Sequence, residues 1–192
     1  MNSEMFLRAL ESSLRGDRPG LKAQLRLAPE PRPGTQEYQD AHASSLSAGV
    51  LVLLYPGEGR LRILLTQRTA EVLHHRAQIS FPGGQQEAGE DLQLTALRES
   101  QEEVGVDPRS LRILGPLTPL FIPPSNYCIF PTVAYASERP ALQPSEKEVA
   151  AVLEVPLNHL RDPRNLKREK WKLKGYDVSV AVFDYQGHKI WG

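Results

Sequence analysis

From Ala48 the chain runs Ala-Gly-Val-Leu-Val-Leu-Leu without a polar interruption and then meets Pro56-Gly57, the pattern of a strand buried on both faces. Leu61 to Thr66 predicts a second strand across the Gly57-Glu58-Gly59 turn. A helical period sets in from about Glu90 to Val104. Beyond it, Leu111 to Phe121, Tyr127 to Tyr135 and Val178 to Tyr185 predict further strands, punctuated by Pro108, Pro119, Pro123-Pro124 and Pro140. A short helix is expected to start near Pro156 and carry Leu157 and Leu160. At the other end, Ser3 to Leu14 places Phe6, Leu7, Leu10 and Leu14 on one side of a helix. Gly16 to His42, rich in proline and charge, predicts a wrapping arm or linker with no regular element. Strands around one strong helix indicate an α+β, sandwich-like domain.

The length of 192 residues fits one domain, which typically takes ~100–200. We divide it into residues 1–46, a helix and proline-rich arm packing on the domain, and residues 47–192, the domain itself. Lys+Arg and Asp+Glu both count 23, so no net field gathers the chain onto nucleic acid or an anionic membrane, and neither is expected as a partner. The longest apolar run, Val50 to Tyr55, falls far short of the ~20 residues of a membrane helix. The N-terminus lacks the pattern of a secretion signal. A cytoplasmic protein binding a small molecule is the expectation. The single cysteine, Cys128, cannot form an internal disulfide, and Tyr127, Ile129 and Phe130 around it mark a core residue in a strand, not a nucleophile.

The chemistry concentrates in the predicted helix. At 100° per residue, with Glu99 at zero, Glu102 falls about 60° to one side and Glu103 about 40° to the other. Leu94, Leu97 and Val104 lie roughly opposite and form the expected core stripe, with Gln101 intruding on it. Three carboxylates on one face repel one another, and toward the C-terminal end the helix macrodipole disfavours them further. A solvated acidic face is the simpler reading of the three glutamates alone; a hard divalent cation would remove both penalties, and Mg²⁺ commonly bridges carboxylates to phosphates. Ahead of the helix, Pro82-Gly83-Gly84 supplies a turn whose backbone can approach phosphate closely. Arg98 is placed to pair with Glu90, and Gly105 to end the helix.

Residues 84–106 resemble the Nudix box, G-x5-E-x7-R-E-U-x-E-E-x-G-U, where U is usually aliphatic. Gly84, Glu90, Arg98, Glu99, Glu102, Glu103, Gly105 and Val106 fall on its positions, and Ser100, at the first U, is a mild departure. The resemblance implies a Nudix fold, a mixed central β-sheet packed between helices in an α/β/α sandwich. It also implies Mg²⁺-dependent hydrolysis of a nucleoside diphosphate derivative, with Mn²⁺ as an alternative ion.

The preceding segment, Leu64 to Gly84, is similar to the motif of the coenzyme A pyrophosphatase subfamily, L-L-T-x-R-(S/A)-x3-R-x3-G-x3-F-P-G-G. Leu64, Leu65, Thr66, Arg68, Phe81, Pro82, Gly83 and Gly84 agree. Thr69 stands for Ser or Ala, Leu73 for Arg and Ala77 for Gly; Arg76 could replace the lost cation. Glu148-Val149, Glu154 to Leu157 and Trp191-Gly192 also look like this subfamily. By resemblance the substrate is coenzyme A and the products are 3′,5′-ADP and 4′-phosphopantetheine. Glu99, Glu102 and Glu103 would hold metal, with Gly83 and Gly84 at the phosphates and Arg68 the first candidate cation. His74 and His75 could bind phosphate or simply belong to an exposed loop, and the Pro123 to Asn126 loop could contact substrate or be plain turn chemistry. The base could be Glu102 or Glu148. Two other readings stay open: a Nudix hydrolase of NADH or ADP-ribose, and a Nudix module that binds a nucleotide without cutting it. The intact glutamate set argues against the second.

Overall fold

The computed structural model describes residues 3–31, 45–69, 78–173 and 175–191. Leu73, His74, His75, Arg76 and Ala77, like Pro33, Gly34 and Gly192, lie outside the described residues.

The apolar run at Ala48 is the centre of β1 (Leu46–Gly57), which is the middle strand of the larger sheet. Its C-terminal half pairs antiparallel with β2 (Arg60–Arg68), and its first residues pair antiparallel with β4 (Gly83–Gln85). Its whole length to Leu54 runs parallel to β7 (Tyr127–Ala136). Beyond β7 lie β5 (Leu111–Pro116) and β6 (Leu120–Ile122); beyond β2 lie β3 (Ile79–Ser80) and β8 (Val149–Pro156). One parallel pair among antiparallel neighbours makes the sheet mixed, as the α+β expectation requires.

Both faces of β1 are covered, which is why its sequence does not alternate. Leu51, Leu53 and Tyr55 pack with Leu64, Ala134 and the residues Ala96 and Val104 of α3 (Leu92–Val104). Val52 and Leu54 pack on the other face with Leu114, Leu153 and the residues Leu7 and Leu14 of α1 (Ser3–Arg15). Leu157 and Leu160, expected on a short helix, sit on α4 (Leu157–Arg161) against that same core. Cys128 is buried, in keeping with a packing role.

Helix α3 lies hard against β1 at Gly49. A Cβ there would come within 2.9 Å of the Ala96 nitrogen and closer still to the Leu92 carbonyl oxygen. Both are backbone atoms, so no side chain can swing aside. Gly49→Ala is therefore expected to lower unfolding stability by about 2–3 kcal/mol, measurable by urea denaturation.

Three sequence expectations need correction. The arm is not wholly irregular, because Gly20–Leu25 forms a short helix, α2. The stretch Leu111 to Phe121 is two strands, broken after Pro116. And β8 and β9 (Leu166–Leu173) lie outside the predicted strands: β8 because its apolar run, Val149 to Leu153, is short and is cut by Glu154, β9 because Lys167, Arg168, Glu169, Lys170 and Lys172 read as solvent-exposed chain. Charge of this kind is how an edge strand avoids pairing with other molecules. With β10 (Tyr176–Tyr185) and β11 (His188–Ile190), β9 makes a separate three-stranded sheet. The arm ties this sheet to the body. Arg18 and Gln24 donate to the carbonyls of Pro116 and Thr118, at 3.0 and 2.8 Å, and Glu30 bridges Ser179 of β10.

Candidate active site

Helix α3 begins where the Asp91 carboxylate accepts the Gln93 N–H at 2.8 Å and ends at Gly105, whose φ of 73° stops it. Its rotation differs from the helical wheel. Leu94 is 55% exposed and Leu97 only half-buried, whereas Thr95, Ala96, Ser100, Glu103 and Val104 are buried. A helix seated directly on Gly49 has room for small side chains and not for leucines. Ser100 is one of these, and its hydroxyl is satisfied by the Ala96 carbonyl at 2.6 Å. This turn of the helix carries Glu103 inward and leaves Glu102 outermost.

Arg98 organises the exposed side. It grips both oxygens of Glu90, at 2.9 and 3.0 Å, and donates to Glu99 at 2.8 Å, to Glu102 at 3.2 Å and to the Gln85 carbonyl at 3.3 Å. The Arg98 fork, with help from the Thr95 hydroxyl, holds the Glu90 carboxyl down to about 2. Gln85 is fixed from the other side by the Tyr127 hydroxyl at 2.8 Å, a contact that no spacing in the sequence announces.

Glu99 and Glu103 differ from Glu102 in being partly or wholly withdrawn from water. The Glu99 carboxylate lies against Gly84, where a Cβ would sit 2.5 Å from its Cδ. Glu103, 3% exposed, accepts the Gly83 N–H at 3.1 Å. Gly83 reaches this position with a φ of 152° and a Cα so near β1 that a Cβ would be 2.6 Å from the Val50 Cα. Burial pushes the Glu103 carboxyl up to about 7, against the pull of Gly83 and Arg68, and burial likewise raises Glu99 despite its bond to Arg98. Glu148 adds its negative charge to both.

Arg68, at the end of β2, brings Nη1 to 3.8 Å from Glu103, too long for a hydrogen bond. Its buried Nε finds no acceptor among the described residues. Of the residues singled out in the sequence, then, Arg68, Gly83, Gly84, Glu99 and Glu103 come together, Arg98 and Glu102 lie along the rim, and Glu148 acts on Glu99 and Glu103 through its charge alone. Pro123–Ser125 is one turn of 3-10 helix closed by Asn126 with φ 55°.

Among the described residues no three acidic or histidine side chains converge into a closed ligand set. Mg²⁺ does not need one, since it keeps several waters and takes one or two carboxylates together with substrate phosphate. Oxygen donors, a buried anion without full compensation and a backbone that lets phosphate approach all fit such an ion. Among the described residues no helix is long and apolar enough to cross a membrane.

A mixed sheet with a glutamate helix laid against a diglycine turn defines a Nudix-type α+β domain. The chain belongs to the Nudix family: the NUDIX domain matches residues 45–175. It is 33% identical over 153 residues to Nudix hydrolase 22, chloroplastic, of Arabidopsis thaliana, covering 76% of this chain and 50% of that one. It is 30% identical to the peroxisomal coenzyme A diphosphatase of Mus musculus, covering 76% of this chain and 62% of that one. The chain thus spans about half to three fifths of the length of these curated relatives. The crystal structure of the Nudix hydrolase RenU from M. smegmatis shares the fold, with a TM-score of 0.50 at 22% identity over 62% of this chain and 74% of that one. The relatives' names place one in a chloroplast and one in a peroxisome, so they lend the cytoplasmic expectation no support.

Proposed function

We propose that this chain is a Mg²⁺-dependent pyrophosphohydrolase, able to use Mn²⁺, that cleaves the diphosphate of coenzyme A to 3′,5′-ADP and 4′-phosphopantetheine. The observation that carries the hydrolase reading is the buried Glu103, held on the Gly83 N–H and within the field of the like charges of Glu99 and Glu148. A buried carboxylate with like charges around it is costly, and Arg68 at 3.8 Å offsets this only in part, so a divalent cation would find its charge already provided for.

In this reading Glu99 and Glu103 hold the cation and Glu102 assists from the rim. The ion, when bound, neutralises charge on the diphosphate and makes water a better nucleophile. Gly83 and Gly84 present bare backbone, so that a phosphate oxygen can come close. Arg68 offers a guanidinium whose Nε is not committed elsewhere among the described residues, suited to a phosphate oxygen. Arg98 is a positioning residue, fixing Glu99 and the Glu90 loop. Of the two candidate bases we assign Glu148, whose carboxylate takes the proton from the attacking water, because Glu102 is bonded to Arg98 and its side chain is 57% exposed.

Coenzyme A is supported by the Leu64 to Gly84 motif and by the mouse relative, which carries that activity in its name. The departures at Leu73 and Ala77 favour a rival, hydrolysis of NADH or ADP-ribose. A panel of kcat/KM values with Mg²⁺ separates them. Coenzyme A is expected to exceed NADH, ADP-ribose and nucleoside triphosphates by at least about tenfold; an equal or better rate on any of these would overturn the substrate and leave the hydrolase reading standing. Nucleotide binding without any product would overturn both.

A further inference from the structure

The turn that carries Glu148 is fastened on two sides. From α3, the carbonyls of Val104 and Glu103 accept the N–H groups of Gln143 and Ser145, both at 2.8 Å. These are carbonyls at the helix end, which its own backbone cannot satisfy. Just past the end of β2, Thr69 donates its N–H to the Glu148 carbonyl at 2.9 Å and its hydroxyl to the Lys147 carbonyl at 2.9 Å. Inside the turn, Glu148 and Val149 both donate to the Ser145 carbonyl, at 3.0 and 2.8 Å. Segment 143–145 reaches α3 only because Gly105 leaves room: a Cβ there would be 2.8 Å from the Gln143 Cβ and 3.1 Å from its nitrogen. Gly105 thus does more than stop the helix.

We propose that Thr69 and Gly105 are positioning residues, a clamp that holds the 145–148 turn so that the Glu148 carboxylate faces Glu99 and Glu103. This rests on the hydrolase reading and on Glu148 as base. The two sides of the clamp connect the residue after Arg68 with the last turn of the glutamate helix, so the base, the phosphate-facing arginine and the metal-facing carboxylates share one rigid frame. Thr69 is also where this chain departs from the Ser or Ala of the subfamily motif; alanine at that position could not make the hydroxyl bond.

The test uses Thr69→Val, Thr69→Ser and Gly105→Ala, each in the wild-type and the Glu148→Gln background. Gly59→Ala serves as control, since its φ is also 73° but nothing lies within 4 Å of its Cβ. Thr69→Val and Gly105→Ala are expected to lower kcat by about tenfold with KM within twofold, while Thr69→Ser and Gly59→Ala stay within twofold of wild type. In the Glu148→Gln background neither substitution should lower kcat further, because the group they position is already disabled. Amide exchange of Thr69 and Ser145 in the metal-free protein should speed up about tenfold in Thr69→Val and Gly105→Ala and stay unchanged in Glu148→Gln. Unchanged exchange, unchanged kcat, or an equal loss in both backgrounds would overturn the clamp. A wild-type protein that cuts no diphosphate, or a Glu148→Gln variant with normal turnover, would instead overturn the reading beneath it, and amide exchange would still report whether the turn is fastened.

Discussion

Glu103→Gln is expected to reduce turnover at saturating Mg²⁺ by on the order of a thousandfold, in line with the loss of a main charge at a preorganised site, while making the metal-free protein more stable above neutral pH. Glutamine keeps the shape and still accepts the Gly83 N–H, so folding has nothing to lose. The stability gain follows from linkage. The Glu103 carboxyl titrates near 7 in the folded chain, above its ordinary value of 4.5. Between those values the unfolded chain ionises Glu103 and the folded chain does not, so folding is favoured at pH 4.5 and below and the advantage is lost as pH rises through about 7. At ~1.4 kcal/mol per tenfold, the penalty above that range is roughly 3 kcal/mol. Glutamine never incurs it. Thermal melts from pH 5 to 8 without divalent ions should show wild type losing stability with pH relative to Glu103→Gln. Added Mg²⁺ should restore wild type and leave the variant unmoved. A pH-independent gap between the two, or near-normal turnover of the variant, would contradict the role given to Glu103.

Gly84→Ala should separate activity from stability in the opposite way. Its Cβ would collide with the Glu99 carboxyl carbon, 2.5 Å away, but that carboxylate is the far end of a flexible side chain and can swing aside. The fold is therefore expected to survive within about 1 kcal/mol, as a steric change absorbed by one side chain allows. Glu99, however, would leave the position from which it meets the cation, and kcat should fall by about a hundredfold. Gly49→Ala provides the contrast, because there the obstacle is backbone and the cost falls on stability. If Gly84→Ala destabilised the protein as much as Gly49→Ala does, the tolerance attributed to Glu99 would be wrong.

The elements with a long, consistent pattern were legible before the structure: β1 from its unbroken apolar run, α1 from its leucine stripe, α3 from the glutamate and arginine spacing. The core stripe expected from the helical wheel holds at Val104, which is buried, and in part at Leu97, which packs against the core, and fails at Leu94, which is exposed. Contact at Gly49 selects for smallness and turns the helix so that Thr95, Ala96 and Ser100 are buried as well. Strand β9 was illegible for a related reason, since its charges describe an exposed edge and its strand character comes from pairing with Val178 to Phe183. The reach of the Glu148 charge to residues some 45 positions earlier depends on β8 pairing with β2, a long-range event that local pattern does not encode. Tyr127 and Thr69 entered the sequence reading as a strand start and a motif departure, and their hydrogen bonds appear only when the strands are assembled.

The most direct measurement is product analysis of one incubation of coenzyme A with the protein, with Mg²⁺ and again with excess chelator. Equal amounts of 3′,5′-ADP and 4′-phosphopantetheine should accumulate with Mg²⁺ and neither with chelator. Intact coenzyme A beside rapid cleavage of ADP-ribose would contradict the substrate, and undiminished products under chelation would contradict the carboxylate helix as the seat of the reaction.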